Sequence, residues 1–557
     1  MSALTLRHDR RTTKPVVLSA AAVFICLFGH LGAFGLVGPD EPRYAWIARA
    51  MARTGDWVTP RLYGQPWFEK PILYYWAAAP GFLLHLPDEW AARFPSALAA
   101  LLAAMAIGWL GWSYYGEGLD FPRAPALLAP LLFSTSVAAI GFARAATPDM
   151  LFTAMVTLAM AAAAHVLRSA RAFHSDSDAG RVSPRGDTLS LPLFGAFLGL
   201  AVLAKGPSAI LLAGGAIGLW ALATKRWQGA IRLAHPLAIA AFAIVSLPWY
   251  VLCSVRNPDF LRVFIGEHNV ARYLTPVFQH QQPFWFFGPI ILLALLPWTA
   301  LLWPVAREGL RLASDRSPNG SPGLFFASWA IFPVLFFSFS QSKLPGYILP
   351  SVPPLALLLS AALVRTLSLP APSVRRTAAA LGGALGLTWI TLGLSALHSM
   401  SHLRLVPRGA IERMIILSAS VAIVGGVLVA VLGLAGRHSF VLLSVLLTIL
   451  CLEITGLRIL PSLDPYVSAR WHAQFMRNDL RPDRILTYHL KRSWTYGLAF
   501  YLGRELPEWS AADPEPALVL TTPQGLEEMI RLGRFRGALD EPDQGILYVP
   551  ALPARRQ

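Results

Sequence analysis

Apolar runs long enough to cross a bilayer recur along this chain from residue 15 to residue 457, and they constrain its fold more than any other feature. A span needs about 20 apolar residues. Stretches of that kind lie near residues 15–37, 94–113, 124–142, 148–167, 190–204, 208–224, 233–252, 284–304, 324–340, 345–366, 377–397, 413–434 and 438–457. Most lack a polar face, which one large soluble core would require. Composition agrees: the 557 residues are 55% hydrophobic and 14% charged, against roughly 25% charged in soluble domains. The sequence predicts an all-α polytopic membrane protein with about thirteen transmembrane helices.

The formal charge of +16 does not point to nucleic acid, because the basic residues sit in short connectors rather than along a helix or patch. They follow the positive-inside rule, with an anionic bilayer as the partner. With a cytoplasmic N-terminus, the inside connectors hold Arg168, Arg171, Arg181 and Arg185; Lys225, Arg226 and Arg232; Arg307, Arg311 and Arg316; Arg375 and Arg376; and Arg437. The first apolar run follows Arg10, Arg11 and Lys14 and lacks a small-residue cleavage site, so it reads as an uncleaved span. Counting residues 72–86 as a further span would invert every later loop. They are therefore expected as a short helix at the outer interface, in keeping with their Trp and Tyr content. Cys26, Cys253 and Cys451 fall in or beside apolar runs and form no metal or redox pattern.

Four regions follow: residues 1–37, a cytoplasmic tail and first span; 38–93, a long outer loop with interfacial helices; 94–457, the remaining helices with a second outer loop at 254–283; and 464–557, a small outer α/β domain. In the last, strand-like runs at Arg484–Tyr488, Ala517–Thr521 and Ile546–Val549 alternate with helix-like runs at Trp494–Leu502 and Leu526–Leu532.

The first outer loop holds Asp40, Glu41, Arg43, Arg49, Arg53, Asp56, Arg61, Glu69 and Lys70, interleaved with Tyr44, Trp46, Trp57, Tyr63, Trp67 and Phe68. A solvated loop of ion pairs is the bland reading. The aromatic content instead suits the lining of a cavity. Asp149 follows Pro148 at the outer end of a span, where it would cap a helix or join Asp40 in steadying a reacting sugar and taking a proton. Lys205 and Lys343 sit in tight outer turns that positive-inside statistics disfavour. They either snorkel to headgroups or, with Arg43, Lys70 and Arg272, meet a phosphate. Tyr347, four residues after Lys343, could hydrogen-bond that ligand or sit in an aromatic belt. Glu69 with Glu267-His268 offers ligands suited to a divalent ion such as zinc, although no histidine cluster or spacing demands one. His280 lies in the same second loop.

Together these segments match a known pattern. Asp40-Glu41-Pro42-Arg43-Tyr44-Ala45, Gly55-Asp56-Trp57-Val58-Thr59-Pro60, Phe68-Glu69-Lys70-Pro71 and Tyr74-Tyr75-Trp76 resemble the first-loop signature of ArnT-like glycosyltransferases, within the dolichyl-phosphate-mannose protein mannosyltransferase superfamily of GT-C fold. Ala92-Arg93-Phe94-Pro95-Ser96, Pro148-Asp149, Lys205-Gly206-Pro207, Glu267-His268-Asn269 and Ser342-Lys343-Leu344-Pro345-Gly346-Tyr347 extend the resemblance over about the first 360 residues. It implies inverting transfer of a sugar from a polyprenyl (undecaprenyl) phosphate donor to lipid A or another envelope acceptor. In the ArnT case the sugar is 4-amino-4-deoxy-L-arabinose. It further implies Asp40 and Asp149 as the key acids, with Arg43 beside them. Lys70, Lys205, Arg272, Lys343 and Tyr347 would bind donor phosphate or substrate, and Glu69 and His268 would hold Zn2+. The chain would be a monomer in the bacterial inner membrane with its site facing the periplasm. Relatives with the same signature modify proteins or other envelope glycans. A transporter or flippase is disfavoured because no internal repeat appears and the charges gather at one interface.

Overall fold

The structure is a computed structural model that describes residues 10–115, 124–172, 185–275, 281–303, 310–311, 322–368, 371–400, 408–480, 482–535 and 546–552. Arg181, His280, Arg307 and Arg316 lie outside these residues. The first half of the chain builds helices α1 (Arg10–Phe28), α2 (Asp40–Thr54), α3 (Leu73–Leu83), α4 (Asp88–Tyr115), α5 (Ala124–Ser134), α6 (Val137–Ala143), α7 (Pro148–Ala172), α8 (Arg185–Lys205) and α9 (Ser208–Thr224). A two-stranded hairpin, β1 (Arg61–Leu62) with β2 (Gln65–Pro66), lies between α2 and α3.

Among the described residues, seven helices are long and apolar enough to cross a membrane. The pair α5–α6, bent by 64°, would make an eighth. This corrects the expectation of about thirteen continuous spans. Several of the apolar runs form helices that stop short: α1 ends at Phe28, α9 has 17 residues, and so does the helix Pro322–Ser338. The run 284–304 breaks into Phe284–Phe286, Phe287–Ala294 and Trp298–Leu301. Pro297 cannot donate a helical hydrogen bond and lies at that break. Hydropathy counts apolar residues but does not register where the backbone ladder is interrupted. Helix α3 has 11 residues, which makes it about 16 Å long, roughly half a bilayer's hydrocarbon thickness.

Small residues let the helices approach closely, as expected where lipid supplies no hydrophobic drive between them. Ala97, Ala100, Ala103 and Ala104 of α4 are buried, as are Ala154, Ala159 and Ala163 of α7, and the two helices pack together. Further on, Gly382 and Gly433 sit so close that a Cβ on Gly382 would lie 2.5 Å from the Cα of Gly433.

The C-terminal region contains strands β3 (Ile485–Tyr488), β4 (Ala517–Thr521) and β5 (Leu547–Ala551), in that order in one sheet. β3 and β4 are parallel, joined through the helix Arg492–Leu502, and β4 and β5 are antiparallel. That helix packs on α2. Arg49 of α2 donates to the Phe500 carbonyl at 2.6 Å, and the Tyr501 hydroxyl donates to Glu89 at 2.7 Å.

Candidate active site

Helix α2 starts after Gly38, whose φ of +67° suits a residue without a Cβ. It places Asp40 and Glu41 in its first turn, where unpaired N–H groups favour carboxylates. The two adjacent acids diverge at once. Glu41 is buried, and Arg93, fully buried at the start of α4, reaches it with Nε at 3.1 Å and an amino group at 2.8 Å. Glu41 also accepts from the backbone N–H of Val37 at 2.8 Å and of Ala146 at 2.7 Å. Arg93 uses its other donors on the carbonyls of Leu31, Phe34 and Gly35. This fully satisfied pair clasps the loop entering α2 to the segment entering α7. It thereby fixes Asp40 relative to Asp149.

Asp40 faces outward, with its side chain 52% exposed, and accepts from Arg43 one turn along at 2.5 Å. Burial raises its pKa above the usual carboxylate range, with Arg43 pulling the other way. Arg43 also reaches Glu69 at 2.9 Å, and its guanidinium lies 5.3 Å from the Trp67 ring and 5.7 Å from the Tyr496 ring. Glu69 gathers two further cations, Arg272 at 3.7 Å and Lys70 at 3.8 Å. Burial alone would raise the Glu69 pKa, but Lys70, Arg43 and Arg272 outweigh it and hold the pKa below the ordinary value. Burial pulls Lys70 down to about 8 against the attraction of Glu69.

Across the cleft, Asp149 pairs with Lys205 at 2.5 Å. The turn Pro345–Ser351 presses onto this pair so closely that a Cβ on Gly346 would lie 3.0 Å from the Asp149 carboxylate. That approach sets the Tyr347 ring 5.1 Å from the Lys205 ammonium.

A cavity of about 320 Å³ opens between these groups. Lys70, Lys205, His268, Arg272 and Tyr347 supply polar groups to its lining, and Leu211, Leu274, Phe336 and Phe337 supply apolar ones. Most of the residues singled out in the sequence thus converge, either on this lining or on the ion pairs behind it. Lys343 is not among the lining residues, but its ammonium donates at 2.6 Å to the carbonyl of Ser340, which is. Glu267 is turned to solvent and paired with Arg262 at 2.8 Å. Glu41 with Arg93, Trp67 and Tyr496 complete the site in ways the sequence reading did not assign. Tyr496 in particular comes from the C-terminal region, where no motif marks it.

The zinc expectation is overturned. Among the described residues, no three His, Cys, Asp or Glu side chains gather as metal ligands. Glu69 is already engaged by Arg43, Lys70 and Arg272, so an arriving divalent cation would face three positive charges. His268 and Asp40 lie near enough to Glu69 to feel its charge, but among the described residues they do not gather with it into the three protein ligands of a zinc site. Burial lowers the His268 pKa, with Glu69 pulling the other way.

Comparison with known proteins agrees with this geometry. The family of dolichyl-phosphate-mannose-protein mannosyltransferases matches residues 14–264. An undecaprenyl phosphate-α-4-amino-4-deoxy-L-arabinose arabinosyl transferase of Edwardsiella ictaluri is 35% identical over 322 residues, covering 58% of this chain and 54% of that protein. The protein of the same name from Pseudomonas aeruginosa is 33% identical over 397 residues, covering 71% and 66%. The chain thus spans about half to two thirds of the length of these relatives. The crystal structure of ArnT from Cupriavidus metallidurans bound to undecaprenyl phosphate superposes with a TM-score of 0.77 at 24% identity, covering 97% of this chain and 98% of that one. The loop motifs, the family match and the whole-chain fold agree: this chain belongs to the dolichyl-phosphate-mannose-protein mannosyltransferase superfamily, in its ArnT-like GT-C form.

Proposed function

We propose that the chain transfers a sugar from a polyprenyl (undecaprenyl) phosphate donor to lipid A or another envelope acceptor, with inversion at the anomeric carbon. The observation that carries this reading is the mixed lining of the cavity, which combines Lys70, Lys205 and Arg272 with Leu211, Leu274 and Phe336. The cations suit a phosphate, and the apolar side chains suit the tail attached to it. The acceptor oxygen attacks the anomeric carbon while the bond to the donor phosphate breaks. The lipid phosphate leaves with the bonding electrons and is stabilised by the cations already fixed in place. Where the acceptor is a hydroxyl, Asp40 takes its proton. Where it is an ionised phosphate, Asp40 and Asp149 orient the reactants instead. Arg43 is held by Asp40 and Glu69, and Lys205 by Asp149, so neither cation has to reorganise as charge develops.

Seven long helices, the bent pair α5–α6 and five shorter apolar helices together supply thirteen crossing segments in this reading. The odd number puts the loop 38–93 and the C-terminal region 464–557 on the periplasmic face of the inner membrane, with Lys225, Arg226, Arg232, Arg375 and Arg376 inside. Transfer to a protein or another glycan is the alternative within the superfamily. Incubating the purified chain with undecaprenyl-phosphate-linked 4-amino-4-deoxy-L-arabinose and lipid A, read by mass spectrometry, tests the proposal. Lipid A heavier by one sugar is the expected product, and unmodified lipid A with intact donor would contradict it.

A further inference from the structure

Helix α2 has a second basic site, some distance from the cavity. At its C-terminal end a pocket of about 230 Å³ is lined by Trp46, Arg49, Arg53, Arg61 and Tyr63. Arg43, Trp46, Ala50 and Arg53 recur at helical spacing along one stripe of α2. The stripe therefore runs from the Arg43–Glu69 cluster to this pocket. Ten residues separate Arg43 from Arg53, about 15 Å along the helix axis.

Positive charge is in excess there. Asp56 is shared by Arg61 at 3.2 Å and Arg256 at 3.3 Å. Asp88 lies 3.7 Å from Arg49 and also feels Arg53 and Arg477. Those two carboxylates, with Glu89 beside Asp88 and Glu505 near Tyr63, make four acids against five arginines. Arg53 is exposed and makes no ion pair within 4 Å among the described residues. Arg49 is fixed rather than mobile, with its guanidinium 3.9 Å from the Phe500 ring and 5.3 Å from the Trp46 ring. The hairpin turn supplies the remaining wall. Tyr63 takes a φ of +52°, a left-handed conformation that bulky residues avoid and that Asn or Gly fills more readily. Its ring then lies edge-on to Trp46 at 4.8 Å. Two rings beside fixed guanidinium groups suit a sugar that carries an anion.

We infer that this pocket is an acceptor subsite, which binds a second phosphate of a glycolipid headgroup while the first end of that headgroup reacts beside Asp40 and Arg43. The inference rests on the transferase reading for the identity of the acceptor, but not for the existence of the site. It makes the enzyme selective for acceptors with two anionic groups about 15 Å apart along α2.

The test is direct binding without donor, using the purified chain in zwitterionic nanodiscs with lipid A bearing two phosphates or one. Wild type is expected to bind the two-phosphate form about tenfold more tightly, the effect of one charge-assisted contact. The preference should shrink in high salt. Arg53→Glu, a surface change, should abolish the preference, and Arg53→Gln should reduce it. Equal binding of both forms by wild type, or an undiminished preference in Arg53→Glu, would overturn the inference. So would competition by phosphatidylglycerol as effective as that by the two-phosphate glycolipid, since the pocket would then be a general headgroup site. If the preference and its dependence on Arg53 hold in a chain that transfers no sugar, the transferase reading fails and the subsite stands.

Discussion

Asp40 and Glu41 are neighbours in sequence and opposites in structure. Glu41 is buried, takes hydrogen bonds from Arg93 and two backbone N–H groups, and ties three segments together. Asp40 is half exposed, and Arg43 is its one ion-pair partner among the described residues. A carboxylate with every lone pair engaged has no capacity left to accept a substrate's proton. One with spare capacity and a raised pKa has it. Glu41 serves the fold, Asp40 is the one proposed for the chemistry, and a single step along the helix separates them.

The comparison can be broken most severely at the clasp. Arg93→Ala leaves Glu41 charged and unpaired in the interior, at a cost of about 3–5 kcal/mol. A thermal melt of the detergent-purified variant should show early unfolding or no folded yield, and a wild-type melting curve would refute the structural role. Next, Lys70→Ala should leave the melt nearly unchanged while lowering kcat/KM for the donor about 10–100-fold, as for loss of a buried phosphate contact.

The pH dependence sharpens the same point. Lys70 has its pKa pulled down to about 8 by burial, so it is charged below that pH and loses its charge above it. The kcat/KM for donor should therefore fall as pH rises through about 8, a limb that reports the free enzyme. Lys70→Arg should carry the limb well above pH 9, because guanidinium stays charged. A limb at the same place in both would remove Lys70 from the phosphate site. The smallest effect expected is from chelation. With Glu69 neutralised by three cations, EDTA treatment should leave transfer within about twofold of the untreated enzyme. A large loss restored by zinc would reverse the metal correction.

The residues that reach the cleft were legible because motifs mark them: Asp40, Arg43, Glu69 and Lys70 lie within one loop, and Asp149 and Lys205 at two helix ends. The membrane class was equally plain from the apolar runs. What could not be read were features set by backbone breaks and distant contacts. Pro297 divides one apolar run into short pieces, and the sharp bend between α5 and α6 lies at Thr135 and Ser136. Lys343 carries the right charge in the right turn, yet its ammonium donates to the carbonyl of Ser340, a contact that charge and spacing do not disclose. Tyr496 reaches Arg43 from more than 400 residues away, through a helix held to α2 at Phe500 and to α4 at Tyr501. Only the folded chain brings it there.

The most direct test of the division between clasp and cleft is to purify Asp40→Asn beside Glu41→Gln and to measure melting and sugar transfer on both. Asp40→Asn should melt as wild type does and lose transfer by about 10²–10⁴-fold, the scale of a missing proton acceptor. Glu41→Gln should melt early. Wild-type transfer by Asp40→Asn, or equal destabilisation of the two variants, would contradict the account.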